Sequence, residues 1–429
     1  MNTKPQKNYT VPIIMMILLF GMISFVTNLA APMGIVVKGQ FQASNFLGML
    51  GNFANFIAYA VMGIPAGKLL EKIGYKKTAL LAIVVGFVGV GIQFLSGVAE
   101  SFPIYLTGAF VAGFSMCMLN TVVNPMLNTL GGGGKKGNQL IQVGGSFNSL
   151  MGTASTILVG MFVGEVTKTT AISDVNPVLF IAMGIFALVG IVLSLVNIPE
   201  PHIVKKEVVK EKSKYSAWSF RHFVLGAVAI FIYVGIEVGI PGTMTFFLED
   251  ANAGNVGATT ATFVAGTYWF LMLIGRFIGI PLAARMSSKS MLSMVSVIGM
   301  VLIALAIFSP ITTTVSMPVL KSVAGSVSFG MVKVPINALF FVLCGFCTSV
   351  MWGGIFNLAV EGLGKYVASA SGIFMMMVCG GGILPLIQNG IADVTSYMTS
   401  YWIPFLGLAY LLFYALVGSK NVSKHIPVE

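Results

Sequence analysis

The sequence predicts an all-α membrane protein: twelve transmembrane helices in two six-helix bundles, with both termini in the cytoplasm. Three observations carry that expectation. Of 429 residues, 56% are hydrophobic and 9% charged, with a mean hydropathy of +0.93, whereas about a quarter of a soluble chain's residues are charged. The apolar segments run for about 20 residues or more, the length a helix needs to cross a bilayer, instead of alternating in runs of about ten as barrel strands do. Lysine and arginine also fall unequally on the two sides of those segments.

The expected spans lie near 12–37, 46–70, 78–98, 103–130, 139–166, 176–197, 222–247, 257–283, 290–310, 335–360, 366–391 and 399–418. With the N-terminus inside, the inner segments hold Lys4, Lys7, Lys68, Lys72, Lys76, Lys77, Lys135, Lys136, five lysines from Lys205 to Lys214, Arg221, Arg285, Lys289, Lys365, Lys420 and Lys424. The outer segments hold only Lys38, Lys168, Lys321 and Lys333. That bias fixes the orientation, so the net charge of +11 reports topology and an anionic inner leaflet, not a nucleic-acid partner. The first span lacks a small-residue cleavage site and is too long for a signal sequence, so it is expected to be retained.

Between about Glu200 and Arg221 the apolar signal stops, and EPHIVKKEVVKEKSKYSAWSFR takes its place. This charged stretch divides the chain into an N-terminal bundle (1–198), a cytoplasmic linker (199–221) and a C-terminal bundle (222–429). The two bundles are faintly alike: GFSMCMLNTVVNPMLNTLG from Gly113 aligns with GFCTSVMWGGIFNLAVEGLG from Gly345 with one gap, as in a parallel duplication.

Polar residues inside the spans mark where function should lie. Asn120, Asn124 and Asn128 stand at i, i+4 and i+8 of the fourth span, on one stripe of a helix that Pro125 would bend. Unpaired amides cannot face hydrocarbon. They are either interhelical glue or the wall of a wet cavity, and three in register, followed by Gln142, Ser146, Asn148 and Ser149 on the next span, favour a cavity. Glu237 lies near the middle of the seventh span, where an acid is a functional hypothesis by default: a proton or sodium site, a solute ligand or a structural partner. The candidate substrate-binding set is Asn28, Asn120, Asn124, Gln142, Asn148, Glu237, Trp352, Asn357 and Gln388, with Thr27, Asn52, Asn55, Tyr268, Trp269 and Asn389 as further polar or aromatic wall. Amides hydrogen-bond a polar solute, and an aromatic face covers its apolar side. Arg276, about two turns from the inner end of the eighth span, reads as a gate or structural charge paired with Glu361.

Other patterns are set aside. GGGGKKG at 131–137 follows a helix instead of a strand and lacks the Ser or Thr of a phosphate loop, so it reads as a flexible turn. Cys344 and Cys347 form a CxxC inside an apolar span with no histidine near, which argues against redox or metal chemistry. No nucleophile, base and orienting group converge, so an enzyme is not expected.

Two sets of motifs carry a family resemblance. The loop GKLLEKIGYKK, Gly67 to Lys77, resembles the glycine, acid and basic run that major facilitator transporters carry between helices two and three. That resemblance implies a gate of Gly67, Glu71 and Lys72, to which Arg276 is added. NTVVNP at 120–125, GGSFNSLMG at 144–152, GRFIG at 275–279 and SGIFMMMVCGGGILPLIQ from Ser371 are similar to the fucose/proton symporter family and its glucose/galactose branch. The resemblance implies secondary active import of a neutral monosaccharide, hexose or deoxyhexose, by alternating access. Glu237, in a YVGxE run like that of the glucose/galactose branch, would couple transport to H+ or Na+. No cofactor is expected; the partners are a small neutral sugar and the lipid bilayer, a monomer suffices, and the location is a bacterial inner membrane. The chain departs from fucose permeases at Ala31 and Asn120, where they carry carboxylates, and at Gly145, where they carry glutamine. A sugar uniporter, an exporter of another small solute and a transport-dead sugar sensor stay open beside the main reading.

Overall fold

A computed structural model of the chain describes residues 9–131, 134–163, 170–200, 215–323, 326–423 and 426–428. The first half contains α1 (Thr10–Thr27), α2 (Ala30–Phe41), the short α3 (Asn45–Gly48), α4 (Leu50–Ile73), α5 (Tyr75–Val98), α6 (Phe102–Leu130), α7 (Gly134–Val163) and α8 (Asn176–Leu195). The second contains α9 (Arg221–Glu249), α10 (Ala258–Arg285), α11 (Ser288–Phe308), strands β1 (Thr314–Val323) and β2 (Ser326–Pro335), α12 (Ile336–Thr348), α13 (Met351–Val360), α14 (Val367–Met376), α15 (Gly380–Val394), the short α16 (Tyr397–Ser400) and α17 (Trp402–Phe413). Most of the expected linker, residues 201–214, lies outside the described residues.

Eleven helical spans among the described residues are long and apolar enough to cross a membrane. The fifth expected span is α7, whose side chains are described only in part. Its 30 residues include Gln142, Ser146, Asn148, Ser149, Thr153 and Ser155. A helix this polar is stable in a bilayer only when protein covers it, and α7 packs against α1 within its own half and α10 of the other. It also begins at Gly134, so Lys135 and Lys136 lie in its first turn and not in the flexible loop expected over 131–137.

Across the halves, α7 packs on α10, and α4 packs on α14 and α15. Glycine makes the second contact close: a Cβ on Gly381 would lie 2.7 Å from Phe56 Cε1, and one on Gly382 would lie 3.0 Å from Phe53 Cα. Pro385 lies inside α15 and removes the backbone donor owed to the Gly381 carbonyl. Asn52 of α4 supplies it, its Nδ2 donating to Gly381 O at 2.7 Å. Asn55 donates to Ala109 O of α6 at 3.3 Å. Both amides, expected as cavity wall, hold helices together instead.

The two ends of the bundle are tied differently. At the end away from the N-terminus, Lys38 Nζ lies 3.1 Å from Glu249 Oε2. Asp393 accepts the first amides of α3, Asn45 N at 3.1 Å and Phe46 N at 2.8 Å, a charge-assisted cap. Asn45 Nδ2 donates to Tyr397 Oη, which donates to Asp250 Oδ2. All of these contacts except the Tyr397–Asp250 bond join the first half to the second. At the other end, the Glu200 carboxylate accepts Tyr75 N and Lys76 N at the start of α5, next to Gly74 at φ +85°, entirely within the first half. No described ion pair crosses between the halves there.

The gate expectation meets three corrections or limits at that end. Gly67 is expected to allow close helix approach, yet among the described residues nothing lies within 4 Å of where its Cβ would stand. Lys72 is exposed, and the Glu71 side chain lies outside the described residues.

The connection between the ninth and tenth spans, given no structure by the sequence reading, is an antiparallel hairpin with Thr314 opposite Pro335. It buries Met317, Val319 and Val334 on α10 and α12. Leu320 N donates to Thr267 Oγ1 of α10 at 3.1 Å.

Candidate functional site

Between the halves lies a cavity of about 110 Å³, many times the roughly 10–15 Å³ that one water needs. The first half lines it with Phe20, Ser24, Thr27 and Asn28, with Phe56 and Tyr59 of α4, Asn120 of α6, and Gln142, Gly145 and Asn148 of α7. The second half contributes Val234 and Glu237 of α9, Trp269 and Arg276 of α10, Ser349, Trp352, Gly353 and Val378.

Two walls of this cavity are breaks in helices. The first span unwinds at Asn28–Leu29, between α1 and α2, and Asn28 Nδ2 turns back onto Ser24 O and Oγ, both at 2.9 Å. The tenth unwinds at Ser349–Val350, between α12 and α13. Irregular backbone at membrane depth is tolerated where it is buried in protein or lines a cavity, and both breaks line this one. The first has a signal in the sequence, since Pro32 cannot donate to the Asn28 carbonyl four residues back; the second carries neither Pro nor Gly at the break itself.

The amides are arranged on the first half. Asn120 Nδ2 donates to Tyr59 Oη at 3.0 Å and to Met116 O at 3.2 Å. Asn124, one turn on, donates to Asn120 O at 3.0 Å and Oδ1 at 3.3 Å, so it supports Asn120 from behind. Asn148 Nδ2 is held by Phe20 O at 2.9 Å. The second half adds two indoles to the first half's Phe20, Phe56 and Tyr59: Trp352 meets Tyr233 and Phe374 edge-on at 6.2 and 5.7 Å, and Trp269 meets Tyr268 at 5.5 Å.

One charge pair stands in the cavity. Arg276 Nη2 lies 3.8 Å from Glu237 Oε1, with side chains 9% and 14% exposed, and Arg276 Nη1 donates to the Gly145 carbonyl of the opposite half. This corrects the expected partner of Arg276 from Glu361 to Glu237 and moves the arginine from a gate to the cavity wall. It reaches Gly145 because glycine leaves room: a Cβ there would lie 2.9 Å from Nη1.

Of the expected binding set, the structure brings Asn28, Asn120, Gln142, Asn148, Glu237 and Trp352 to the cavity. Asn124, Asn357 and Gln388 do not line it. Gln388 is 1% exposed, its Nε2 has no hydrogen-bond partner among the described residues, and it packs beside Gly239. The Asn128 side chain lies outside the described residues. Ser24, Phe56, Tyr59 and Ser349 line the cavity without having been expected to. For Tyr59 a signal existed: it stands at i+3 from Phe56, i+4 from Asn55 and i+7 from Asn52, on one face of the span.

The model of the Major Facilitator Superfamily matches residues 13–386. The chain belongs to the Major Facilitator Superfamily. Among other major facilitators, it is 28% identical over 425 residues to a glucose/galactose transporter of Brucella abortus, covering 98% of this chain and 97% of that protein. It is 30% identical over 418 residues to a putative glucose/galactose transporter of Helicobacter pylori, with 94% and 95% covered. An L-fucose-proton symporter of Escherichia coli is 22% identical over 440 residues, with 97% and 95% covered. Its fold is similar to a crystal structure of a major facilitator, FucP, in the outward conformation, at TM-score 0.72 and 21% identity, covering 97% of this chain and 100% of that one. As a major facilitator the chain is a multi-pass membrane transporter and not an enzyme, and its relatives place it in a bacterial inner membrane.

Proposed function

We propose that this major facilitator imports a neutral monosaccharide, a hexose or deoxyhexose, by alternating access between bundles 1–198 and 222–429 joined by the linker 199–221. The observation that carries the reading is the chemistry of the two cavity walls. Amides of Asn28, Asn120, Gln142 and Asn148 line the cavity together with the indoles of Trp269 and Trp352, the combination a ring with hydroxyl edges and an apolar face calls for. The printed names of the relatives make glucose, galactose and L-fucose the first sugars to test. With the N-terminus inside, the end closed by Lys38, Glu249 and Asp393 is the outer one, and a single chain suffices.

Coupling in this reading runs through Glu237. Paired with Arg276 it is neutral as a unit, so a proton or sodium ion taken up by the carboxylate leaves a net positive site that the membrane potential acts on, by about 2.3 kcal/mol per 100 mV. The test is counterflow of labelled glucose, galactose and fucose in proteoliposomes, with and without sodium and pH gradients. Saturable exchange of at least one sugar is expected, with accumulation under one gradient; Glu237→Gln is expected to keep exchange and lose accumulation. Absence of exchange for every monosaccharide overturns the reading. Exchange that never becomes accumulation makes the chain a uniporter and Glu237 a sugar ligand.

A further inference from the structure

We infer that Tyr268 is a positioning residue for the Glu237 site: its hydroxyl replaces the backbone donor that Pro241 removes, and so fixes the turn of α9 that carries the carboxylate. The inference rests on the cavity being the sugar site. In an α-helix the N–H of residue 241 donates to the carbonyl of residue 237. Pro241 lies inside α9 and has no N–H, which leaves the Glu237 carbonyl without its helical partner. Such a carbonyl in a membrane span is satisfied by a neighbouring helix or side chain, a water or a local change of helix winding, and here a side chain is in reach. Tyr268 Oη, on α10, lies 3.3 Å from Glu237 O, and the tyrosine is fully buried.

The same hydroxyl reaches a third helix. Tyr268 Oη lies 2.9 Å from Thr348 Oγ1, the last residue of α12 before the break at Ser349–Val350. A phenol has one proton; with that proton on the Glu237 carbonyl, Thr348 is the donor to Tyr268. Tyr233, one turn before Glu237, donates to the Thr348 carbonyl at 3.1 Å. Two phenols therefore bind the Glu237 turn to the helix break that presents Ser349 and Trp352 to the cavity. Tyr268 works from behind, while Trp269, the next residue, faces the cavity itself.

The experiment is a cycle of Tyr268→Phe, Pro241→Ala and the double variant. Phenylalanine keeps the packing and deletes the donor; alanine at 241 returns the backbone donor to Glu237 O. In proteoliposomes, Tyr268→Phe is expected to raise KM for sugar exchange about tenfold with kcat within about threefold, and the double variant to recover most of that loss. A residue that only stabilises the fold would lower the amount of working transporter and leave KM unchanged. An unchanged KM in Tyr268→Phe, or a double variant no better than the single one, overturns the inference. The same cycle read as melting temperature in detergent needs no sugar: the double variant should melt above Tyr268→Phe, and strictly additive losses overturn the inference. A wild type that exchanges no monosaccharide overturns the functional reading and leaves this second arm standing.

Discussion

Helices α9 and α15 carry the same defect and have it repaired from different sides. Pro241 frees the Glu237 carbonyl, and Tyr268 of the same half answers it at 3.3 Å. Pro385 frees the Gly381 carbonyl, and Asn52 of the opposite half answers it at 2.7 Å. A repair made within one bundle travels with that bundle whatever the other does. A repair made across the interface must be kept or broken each time the bundles move. In the first case the proline shapes the site, and in the second it constrains the motion. Arg276 belongs to both classes, since it pairs with Glu237 at home and donates to Gly145 abroad.

That double membership makes Arg276 the most sensitive position. Arg276→Gln leaves Glu237 buried without its charge partner, a loss of about 3–5 kcal/mol. Thermal unfolding of Arg276→Gln, Glu237→Gln and the pair should show the double variant more stable than Arg276→Gln alone. Equal or lower stability of the double variant would mean that the carboxylate is not what the arginine compensates.

Asn52→Ala sharpens the contrast between the two repairs. It leaves Gly381 O buried and unsatisfied, a cost of about 1–3 kcal/mol, and restoring the donor with Pro385→Ala should recover it. Because this bond crosses the interface, the exchange rate should change more than the equilibrium affinity for sugar. An affinity loss with an unchanged rate would place Asn52 with the site and dissolve the distinction.

On the cavity wall the expectation is graded. Asn120→Ala should weaken sugar binding by about 1–3 kcal/mol, measured by tryptophan quenching or counterflow. Asn124→Ala should do less, since Asn124 reaches the cavity only through Asn120. If Asn124→Ala is the more damaging of the two, the cavity extends deeper along α6 than the structure shows. The smallest effect is predicted at the outer tie. Lys38→Met removes an ion pair whose side chains are 20% and 27% exposed, worth about 0–1 kcal/mol, yet it should increase outer-side labelling of a cysteine placed in the cavity.

The fold was legible because lipid imposes a simple rule: long apolar runs become helices, and basic residues sort to one side. Where protein, not lipid, surrounds a segment, that rule loses its grip. The helix of the fifth span, α7, begins at Gly134, five residues before the apolar run on which the expectation rested. The hairpin alternates as VSMPVLKSV and SVSFGMVKV, a period-2 pattern masked by its position between two membrane spans. The site was legible through its amides and its acid, because such groups are costly in hydrocarbon. Cost alone does not separate a cavity wall from interhelical glue, which is why Asn52 and Asn55 were grouped with Asn120. Arg276 was placed by its distance from a helix end, when what decides its role is the space beside Gly145.

That space has a consequence for how the contact can vary between relatives. The acceptor is a main-chain oxygen, which every amino acid possesses, so no substitution at 145 can delete it. What a substitution can change is bulk: even a methyl group at 145 would stand 2.9 Å from the guanidinium. The grip of the second bundle on the first is therefore adjustable at this point by crowding alone. A lineage that enlarges residue 145 changes the strength of that grip without altering a single polar side chain in the cavity.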